Sequence, residues 1–238
     1  RTWAAVEIDA GDALHVGAIV RGARAYLSVS GGWNGEPVFK SVSTHFSAGF
    51  GGHEGRALRA GDRLEFTSGT PAPREAKALR ELPESARAFL RGEIERKALR
   101  AIEGTPAHVG QFDEAALSKF WKGAFAVSSK SDRSGVRLEG EPIRAGGKAT
   151  GNGGAMISEG MVRGAVQVPP NGLPIVLGAD YPTTGGYPVI ACVASVDFPA
   201  LGQARPGDVL RFERVTLGRA LELLRERERR FEEEVPRT

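Results

Sequence analysis

Three polar loops carry the side chains best suited to chemistry, and the first of them places two arginines and an aspartate around a glycine. In SSKSDRSGVRLEG, residues 128–140, these are Asp132, Arg133 and Arg137 beside Gly135. An arginine can hold a carboxylate or phosphate through two parallel hydrogen bonds, and an aspartate can orient that arginine or take a proton. The loop therefore predicts catalytic roles for all three side chains. The alternative is that Asp132 only pairs with Arg133 or caps a turn.

A second loop combines hydroxyl side chains with closely spaced glycines. SVSTHFSAGFGGHEGRAL, residues 41–58, contains Ser43 and Thr44, followed by Gly51 and Gly52. Glycines let backbone N–H groups approach a ligand and hydroxyls supply adaptable donors, so the loop is suited to holding an anion or a carboxylate. A bulged corner of a β barrel would use the same residues.

The third loop puts two threonines and two glycines directly in front of an apolar run, in PTTGGYPVIACVASVD, residues 182–197. Asp180 lies close by, at the end of the preceding predicted strand. The hydroxyls and unobstructed N–H groups come from Thr183, Thr184, Gly185 and Gly186. Such a loop can bind a small amide or carboxylate and stabilise negative charge on a carbonyl oxygen.

Standard motifs for metals, nucleophiles and nucleotides are missing from the sequence. The histidines lie far apart, without an HxxxH pair or a cysteine cluster, so no metal site is predicted. No GxSxG elbow surrounds a serine, and Cys192 lies in an apolar strand, where a thiol behaves as a small hydrophobe. There is neither a GxxxxGK[ST] loop nor a GxGxxG after a strand. ATP would therefore need another kind of pocket.

The elements that position these loops are mainly predicted strands. Gly-Asp turns recur at 8–17, 58–67 and 204–213, in IDAGDALHVG, LRAGDRLEFT and ARPGDVLRFE. Each turn is followed by alternating apolar residues, which is typical of a strand. Short strands and abundant glycine at both ends of the chain favour a barrel-like β architecture over a βαβ sheet.

Helices are predicted between and after the β regions. Residues 73–103 are rich in Ala, Leu, Glu and Arg, which favours a helix interrupted at Pro83. Asp113 is a predicted N-cap of a short helix, and Thr216 is a predicted N-cap of a final one. The final helix places four apolar residues near one side, namely Leu217, Leu221, Leu224 and Phe231.

Composition narrows the class of protein. The 32 basic residues are mixed with 29 acidic ones rather than gathered in a stripe, which argues against nucleic-acid binding. No apolar run approaches the roughly 20 residues that cross a bilayer. The single Cys192 cannot form an internal disulfide and no signal-peptide pattern is present, so we expect a cytoplasmic protein without membrane contact.

Taken in series, several segments resemble one family. They are SDRxGxRLxG at 131–140, GAVQVPPNGLPIVLGAD at 164–180, TTGGYP at 183–188 and GQARPGDVLRF at 202–212. The chain is identified by them as a member of the biotin-dependent carboxyltransferase or allophanate hydrolase subunit 2 family, which includes the C subunit of ATP-dependent 5-oxoprolinases. The resemblance implies a mainly β fold of two cyclophilin-like β-barrel domains with a few helices, the first barrel lacking the usual N-terminal segment of the family.

From the resemblance we expect four segments. They are the remainder of the first cyclophilin-like β domain at 1–72, a helical connector at 73–104, the second β domain at 105–215 and a C-terminal helix at 216–238. The conserved loops of the family imply a substrate site that adds Gln167 and Tyr187 to the polar loops. The resulting set of substrate-binding residues is Ser43, Thr44, Gly51, Gly52, Gln167, Asp180, Thr183, Thr184, Gly185, Gly186 and Tyr187.

The resemblance leaves three functions open. The first is membership of an ATP-dependent 5-oxoprolinase, an amide hydrolase active only with two partners, a B-type protein of the allophanate hydrolase subunit 1 family and an A-type protein of the lactam-utilisation family. The second is carboxyl transfer from carboxybiotin to urea or a related amide. The third is a non-catalytic partner of a regulator of a sensor kinase, which the departure from the family pattern at Val42, where an arginine is expected, makes plausible.

Overall fold

A computed structural model describes residues 2–66, 81–146 and 156–235 of the chain. The contacts divide the chain into two units, one containing residues 1–12 and 25–81, the other containing residues 13–24 and 82–237. The regular strands and helices lie in the second unit, which is therefore the scaffold for most of the predicted site.

Seven strands of the second unit form a closed barrel in the order β1-β8-β5-β6-β3-β2-β9. All neighbouring pairs are antiparallel except β1 and β9, which close the barrel in parallel. A separate two-stranded sheet pairs β4 with β7. The strands are β1 Ala98–Glu103, β2 Phe125–Val127, β3 Gly135–Glu139, β4 Glu159–Gly160, β5 Ala165–Gln167, β6 Ile175–Leu177, β7 Thr184–Gly185, β8 Val189–Val193 and β9 Val209–Arg214.

The barrel interior is filled by aliphatic residues and an aromatic cluster. Strand β9 alternates so that Leu210 and Phe212 are buried while their neighbours face outward. Phe212 stacks on Phe120 from a flanking helix, with ring centroids 4.6 Å apart. Because the sheet closes on itself through the pairing of β1 with β9, its described strands leave no free edge.

Five α-helices flank the barrel in the described residues: α1 Glu84–Ile94, α2 Pro106–Val109, α3 Glu114–Lys122, α4 Phe198–Gln203 and α5 Leu217–Glu234. Both predicted N-caps are confirmed. The Asp113 side chain accepts from the N–H of Ala116 at 2.7 Å, and the Thr216 hydroxyl accepts from the N–H of Arg219 at 3.2 Å.

The predicted helix at 73–103 is only partly correct. Residues 73–80 lie outside the described part of the chain, and α1 begins directly after Pro83, where the interruption is predicted. Residues Ala98–Glu103, however, form β1. Their Ala, Leu, Arg and Glu content favours a helix locally, but pairing with β8 and β9 on both sides overrides that preference.

The final helix also differs from its prediction in which face it buries. Leu224 and Leu223 pack with Ala220 against a small cluster beside the barrel. Leu217, Leu221 and Phe231 are 60%, 44% and 41% exposed. Ala220 is 7% exposed and lets the helix approach the barrel closely. Leu223 and Leu224 are only partly buried on either side of this contact.

A buried ion pair ties β1 to the turn before α4. Asp197 is 1% exposed, and its Oδ2 accepts from the backbone N–H of Arg100 at 2.6 Å and from the Arg100 Nε at 2.9 Å. The Arg100 Nη2 donates to the other carboxylate oxygen. The hydrogen bonds to Asp197 outweigh the opposing effect of burial and raise the pKa of Arg100, so the pair stays charged inside the fold.

The first unit contrasts with the barrel. Within its described residues, 2–12, 25–66 and 81, the ladder pairing is limited to isolated bridges such as Trp33 with Phe66 and His45 with Phe50. The described residues therefore form a mixed α/β fold with a seven-stranded barrel and five helices, and the division into two cyclophilin-like β domains stays a prediction. Residues 67–72 lie outside the described part.

All three predicted Gly-Asp turns form with the same contacts. In each the glycine has a positive φ, which is 98° at Gly11, 91° at Gly61 and 87° at Gly207. In each the aspartate side chain accepts from the backbone N–H three residues earlier, at 2.7 to 2.9 Å. A hydrogen bond of this kind fixes a tight turn locally, whatever follows it.

Candidate functional site

The strand register places two predicted site residues in one row on the outer wall of the barrel. Arg137 of β3 lies opposite Ile175 of β6, and Ile175 lies opposite Gln167 of β5. Directly opposed residues of antiparallel strands present their side chains on the same face of the sheet. Val136 and Val176 belong to the barrel interior, so this row faces outward. Arg137 and Gln167 are thus about 10 Å apart, two strand spacings.

Gln167 is a buried amide in this row with a weakly satisfied side chain. It is 5% exposed, because a small apolar cluster that includes Met161 and Leu177 covers this part of the wall. Its Nε2 donates to the sulfur of Met161 at 3.2 Å, and a thioether is a weak acceptor. Its Oε1 has no hydrogen-bond partner within the described residues. A buried amide in this state is available to a ligand that offers a donor.

The threonine–glycine loop lies directly against Gln167. Thr184 and Gly185 form β7, which pairs with Gly160 and Glu159 of β4. A Cβ on Gly185 would clash with the Gln167 Nε2, and a Cβ on Gly186 would lie 3.0 Å from the Met156 carbonyl oxygen. Gly185 thus packs against the end of the Gln167 side chain and Gly186 against backbone, and neither has a left-handed backbone.

The outer positions of the same loop are open to solvent. Thr183 and Thr184 are exposed, and Tyr187 is 40% exposed. The Thr183 carbonyl accepts from the Met161 N–H at 3.0 Å, which anchors the start of the loop. The loop is thus an anchored, hydroxyl-bearing edge beside the buried amide.

Arg133 and Asp180 form a bidentate pair at another edge of the barrel. The Arg133 Nε and Nη2 donate to the two Asp180 oxygens at 2.6 and 2.9 Å, and the Asp180 N–H donates to the Arg133 carbonyl at 2.9 Å. The pair joins the loop before β3 to the end of the segment that follows β6. A guanidinium held in this way is oriented by Asp180, which was predicted as a substrate-binding residue.

Asp132 takes the turn-capping role that the sequence left open. Its Oδ1 accepts from the N–H groups of Ser134 and Gly135 at 2.8 and 3.1 Å. The carboxylate therefore shapes the SDRSG turn. Arg137, by contrast, is exposed, and its guanidinium has no partner among the residues described. Of the three side chains predicted as catalytic, Arg137 is the one whose charged group remains available.

The predicted loop at 41–58, with Ser43, Thr44, Gly51 and Gly52, lies in the first unit. A Cβ on Gly51 would lie 2.5 Å from the Ser43 carbonyl oxygen, and one on Gly52 would clash with Thr44 Oγ1. The four predicted residues are thus brought together. The loop is fastened by Arg56, whose guanidinium donates to Asp62 at 2.7 and 3.0 Å. These hydrogen bonds hold the pKa of Asp62 well below its usual range.

Sequence reasoning missed a histidine–glutamate pair beside the threonine–glycine loop. His108 is 6% exposed in α2, its Nδ1 accepts from the Val189 N–H at 3.0 Å, and its Nε2 contacts Glu159 Oε1. His108 was treated as one of several isolated histidines, because nothing in local sequence links it to Glu159. The signal that identifies the pair is the β4–β7 pairing, which only the fold provides.

Cys192 is a partly buried free thiol. It lies in β8, and burial raises its pKa, so the nucleophilic thiolate is disfavoured. Among the residues that the structure describes, every helix is too short or too polar to cross a bilayer.

Comparison with known proteins relates the whole of this arrangement to one family. The family model described as the carboxyltransferase domain, subdomain A and B, matches residues 1–214. The match includes the loop residues of both units and all nine strands, and it confirms the resemblance found from the sequence segments.

Three relatives show how far the similarity extends. The chain is 37% identical over 212 residues to the 5-oxoprolinase C subunit of Escherichia coli strain K12, covering 89% of this chain and 63% of that protein. It is 34% identical over 222 residues to the 5-oxoprolinase C subunit of Haemophilus influenzae, covering 93% and 66%. The crystal structure of the K. lactis urea amidolyase matches with a TM-score of 0.74 at 25% identity, covering 90% of this chain and 13% of that one. The chain thus spans about two thirds of the length of the two curated 5-oxoprolinase proteins.

Proposed function

The chain belongs to the family of carboxyltransferase domains with subdomains A and B, and we propose that it acts as one subunit of an ATP-dependent 5-oxoprolinase that opens 5-oxoproline to glutamate. The observation that carries the proposal is the 37% and 34% identity to two 5-oxoprolinase C subunits over most of this chain. Its partners in the proposal are the B-type and A-type proteins named above, because the names of these relatives describe one part of an assembly.

The outer wall of the barrel offers groups that match a small lactam. 5-Oxoproline presents a ring N–H, a carbonyl oxygen and a carboxylate. The Gln167 Oε1 is suited to accept from the ring N–H, while the Thr183 and Thr184 hydroxyls are suited to donate to the carbonyl oxygen. The Arg137 guanidinium is exposed in the same row as Gln167 and is suited to pair with the carboxylate. These roles explain why a buried amide, hydroxyls and an available cation occur together.

Charge stabilisation follows from the same groups. Phosphoryl transfer to the lactam oxygen and the attack of water that follows both develop negative charge on oxygen, and preorganised donors that stabilise such charge typically account for about 10² to 10³ in rate each. Arg133 is paired with both Asp180 oxygens, so in the proposal it holds the segment after β6 beside the loop before β3, and Arg137 supplies the positive charge. Asp132 shapes the turn that presents Arg133 and Arg137.

The co-substrate ATP and the alternative group carboxybiotin both present an anion, and Arg137 fits either. A guanidinium with no partner among the described residues can hold a phosphate or a carboxylate through paired hydrogen bonds. ATP supplies a phosphoryl group that activates the lactam oxygen, and carboxybiotin supplies a carboxyl group. Since this sequence has no GxxxxGK[ST] loop, we place most of the ATP site on the partner proteins.

A second candidate function is carboxyl transfer to urea or a related amide. It is favoured by the TM-score of 0.74 to a urea amidolyase and by the description of the matching family. The identity to that structure, 25%, is lower than the 37% to a 5-oxoprolinase protein. For this reason lactam opening is the first choice.

Reconstitution with the two partner proteins tests the proposal. ATP hydrolysis that depends on 5-oxoproline is measured for the complete assembly and with each component omitted in turn. We expect turnover only when this chain is present. Turnover that continues without it, or that is absent from the complete assembly, would contradict the proposal.

In an active assembly, Arg137→Met should lower kcat/KM by about 10² or more. Arg211 is also an exposed arginine of the barrel, on β9, so Arg211→Met serves as the matched control.

A further inference from the structure

The pair formed by His108 and Glu159 has a fixed arrangement of protons. The Nδ1 of His108 receives a hydrogen bond from the backbone N–H of Val189, so this nitrogen carries no proton. The neutral ring must then carry its proton on Nε2, which faces the Glu159 carboxylate. His108 is therefore a donor to Glu159 and has no lone pair left to act as a base. Its role is to hold the carboxylate.

Glu159 is held at the loop but remains accessible. It lies in β4 directly opposite Gly185, and its side chain is 47% exposed, whereas that of His108 is 8% exposed. One carboxylate oxygen faces the histidine, and the other is left for a second proton donor. A buried, neutral imidazole that orients a half-exposed carboxylate is the arrangement expected of a base and its positioning group.

A second, independent feature points to a ligand at the same place. Gln167 is 5% exposed, and it lies so close to Gly185 that a Cβ there would clash with its Nε2. Its Oε1 makes no hydrogen bond within the described residues and is not fully enclosed, so a ligand can reach it. An amide oxygen in this position is suited to accept from a ligand N–H. The amide and the carboxylate therefore flank the two residues of β7.

We propose that Glu159 is the general base for water attack in this site and that His108 is its positioning residue. The inference rests on the proposed lactam-opening function and names the base for it. Once the lactam oxygen carries the phosphoryl group from ATP, Glu159 takes one proton from a water molecule while the water oxygen bonds to the ring carbon, and the C=N π electron pair moves to the ring nitrogen. The nitrogen then takes the proton from Glu159, the carbon–nitrogen bond breaks with its electron pair on nitrogen, and the new hydroxyl group loses its proton to solvent as the carbonyl re-forms. A second water molecule cleaves the resulting acyl phosphate to the carboxylate and inorganic phosphate.

The test compares Glu159→Gln with Glu141→Gln in the full-length chain assembled with its partner proteins. Gln keeps the shape of Glu159 and can still accept from His108, but it cannot take a proton. We expect kcat for glutamate formation to fall by about 10² to 10⁴ with little change in KM. Glu141 is an exposed residue paired with Lys119, and its substitution should leave kcat unchanged.

The positioning role of His108 needs a readout that a purely structural role would not move. His108→Asn retains an acceptor for the Val189 N–H but removes the donor to Glu159. We expect kcat to fall by about tenfold or more and the acidic limb of the pH–rate profile to shift, while assembly and thermal unfolding stay close to wild type. Glu159→Asp should show a lowered kcat that retains an acidic limb.

The outcomes separate the two proposals. A wild-type assembly that forms no glutamate would overturn the lactam-opening function, and this inference with it. A wild-type assembly that works, combined with a Glu159→Gln assembly of equal kcat, would overturn only the role of Glu159. If Glu159→Gln does not assemble, Glu159→Asp decides, because a wild-type kcat and pH profile in that variant would exclude a positioned base.

Discussion

The barrel and the first unit follow the same local sequence rules and reach different structures. Both contain Gly-Asp turns with a positive-φ glycine and an aspartate bonded back to the chain. In the barrel the turn at 205–208 leads into β9, where Phe212 is 4% exposed. After the turn at 59–62, Phe66 is 57% exposed and takes part only in an isolated bridge.

The difference shows which part of a β fold is encoded locally. A turn needs only contacts within four residues, so it forms wherever its glycine and aspartate occur. A strand needs a partner strand on its edge and an apolar neighbour for its inward face. In the first unit, by contrast, Val6, Ile8 and Phe39 are 66%, 53% and 89% exposed, so these side chains lack an apolar neighbour to bury them.

The largest expected effect comes from the two phenylalanines that follow equivalent turns. Phe212→Ala removes a side chain stacked on Phe120 and should lower the free energy of unfolding of the barrel by about 3 to 5 kcal/mol. The matched change Phe66→Ala should alter it by less than about 0.5 kcal/mol, because the ring is mostly exposed. Urea unfolding followed by circular dichroism measures both. Similar losses in the two variants would mean that Phe66 is as well packed as Phe212, against the difference between the two regions.

A smaller effect is expected at the glycines of the same two turns. Gly207 and Gly61 have φ values of 87° and 91°, and an added Cβ would meet nothing within 4 Å at either. Gly207→Ala should therefore lower the free energy of unfolding of the barrel by about 1 to 2 kcal/mol, through backbone strain alone. Gly61→Ala introduces the same local strain, but we expect it to leave the unfolding of the barrel unchanged. An equal shift in both would show that the two turns belong to one cooperative unit.

The smallest effect concerns the aspartate of the barrel turn. Burial acts to raise the pKa of Asp208, but hydrogen bonds from Lys97 and the Arg205 N–H together outweigh it, and the pKa is lowered from its ordinary value of 3.8. The folded state therefore stabilises the ionised form of Asp208 relative to the unfolded chain. This contribution to the free energy of unfolding is fully present above pH 3.8 and is lost as the pH falls through the lower folded pKa.

Asp208→Asn isolates that contribution. We expect the variant to be less stable than wild type at about pH 6, well above the ordinary pKa, and the difference to shrink below pH 3.8. Denaturant midpoints measured over this range supply the test. A difference that is constant with pH would mean that Asp208 acts through the geometry of its turn alone.

Much of the barrel unit follows from its sequence because its signals are local. The N-caps at Asp113 and Thr216 and the turn at 205–208 are each decided by a side chain and a backbone group a few residues apart. The strand at Ala98–Glu103 is not predictable in this way. Its composition favours a helix, and only pairing with β8 and β9 makes it a strand.

The candidate site also has one part that the local sequence predicts and another that depends on the fold. Loops rich in glycine, hydroxyls and arginine mark its edges, and the matching family confirms that they belong to one kind of domain. The row that joins Arg137 to Gln167 depends on the register of three strands, and the contact between His108 and Glu159 depends on where β4 pairs. Neither can be read from spacing along the chain, because strand pairing in the folded protein sets both.

The most direct test of the central claim is a product analysis of the reconstituted assembly. The complete complex is given ATP with 5-oxoproline, and separately ATP, bicarbonate and urea together with a biotin carboxylase and a biotin carrier. We predict glutamate formed in step with ADP in the first reaction and no carboxylated urea in the second. Biotin-dependent transfer of labelled bicarbonate to urea, without glutamate from 5-oxoproline, would contradict the assignment and establish the carboxyltransferase function instead.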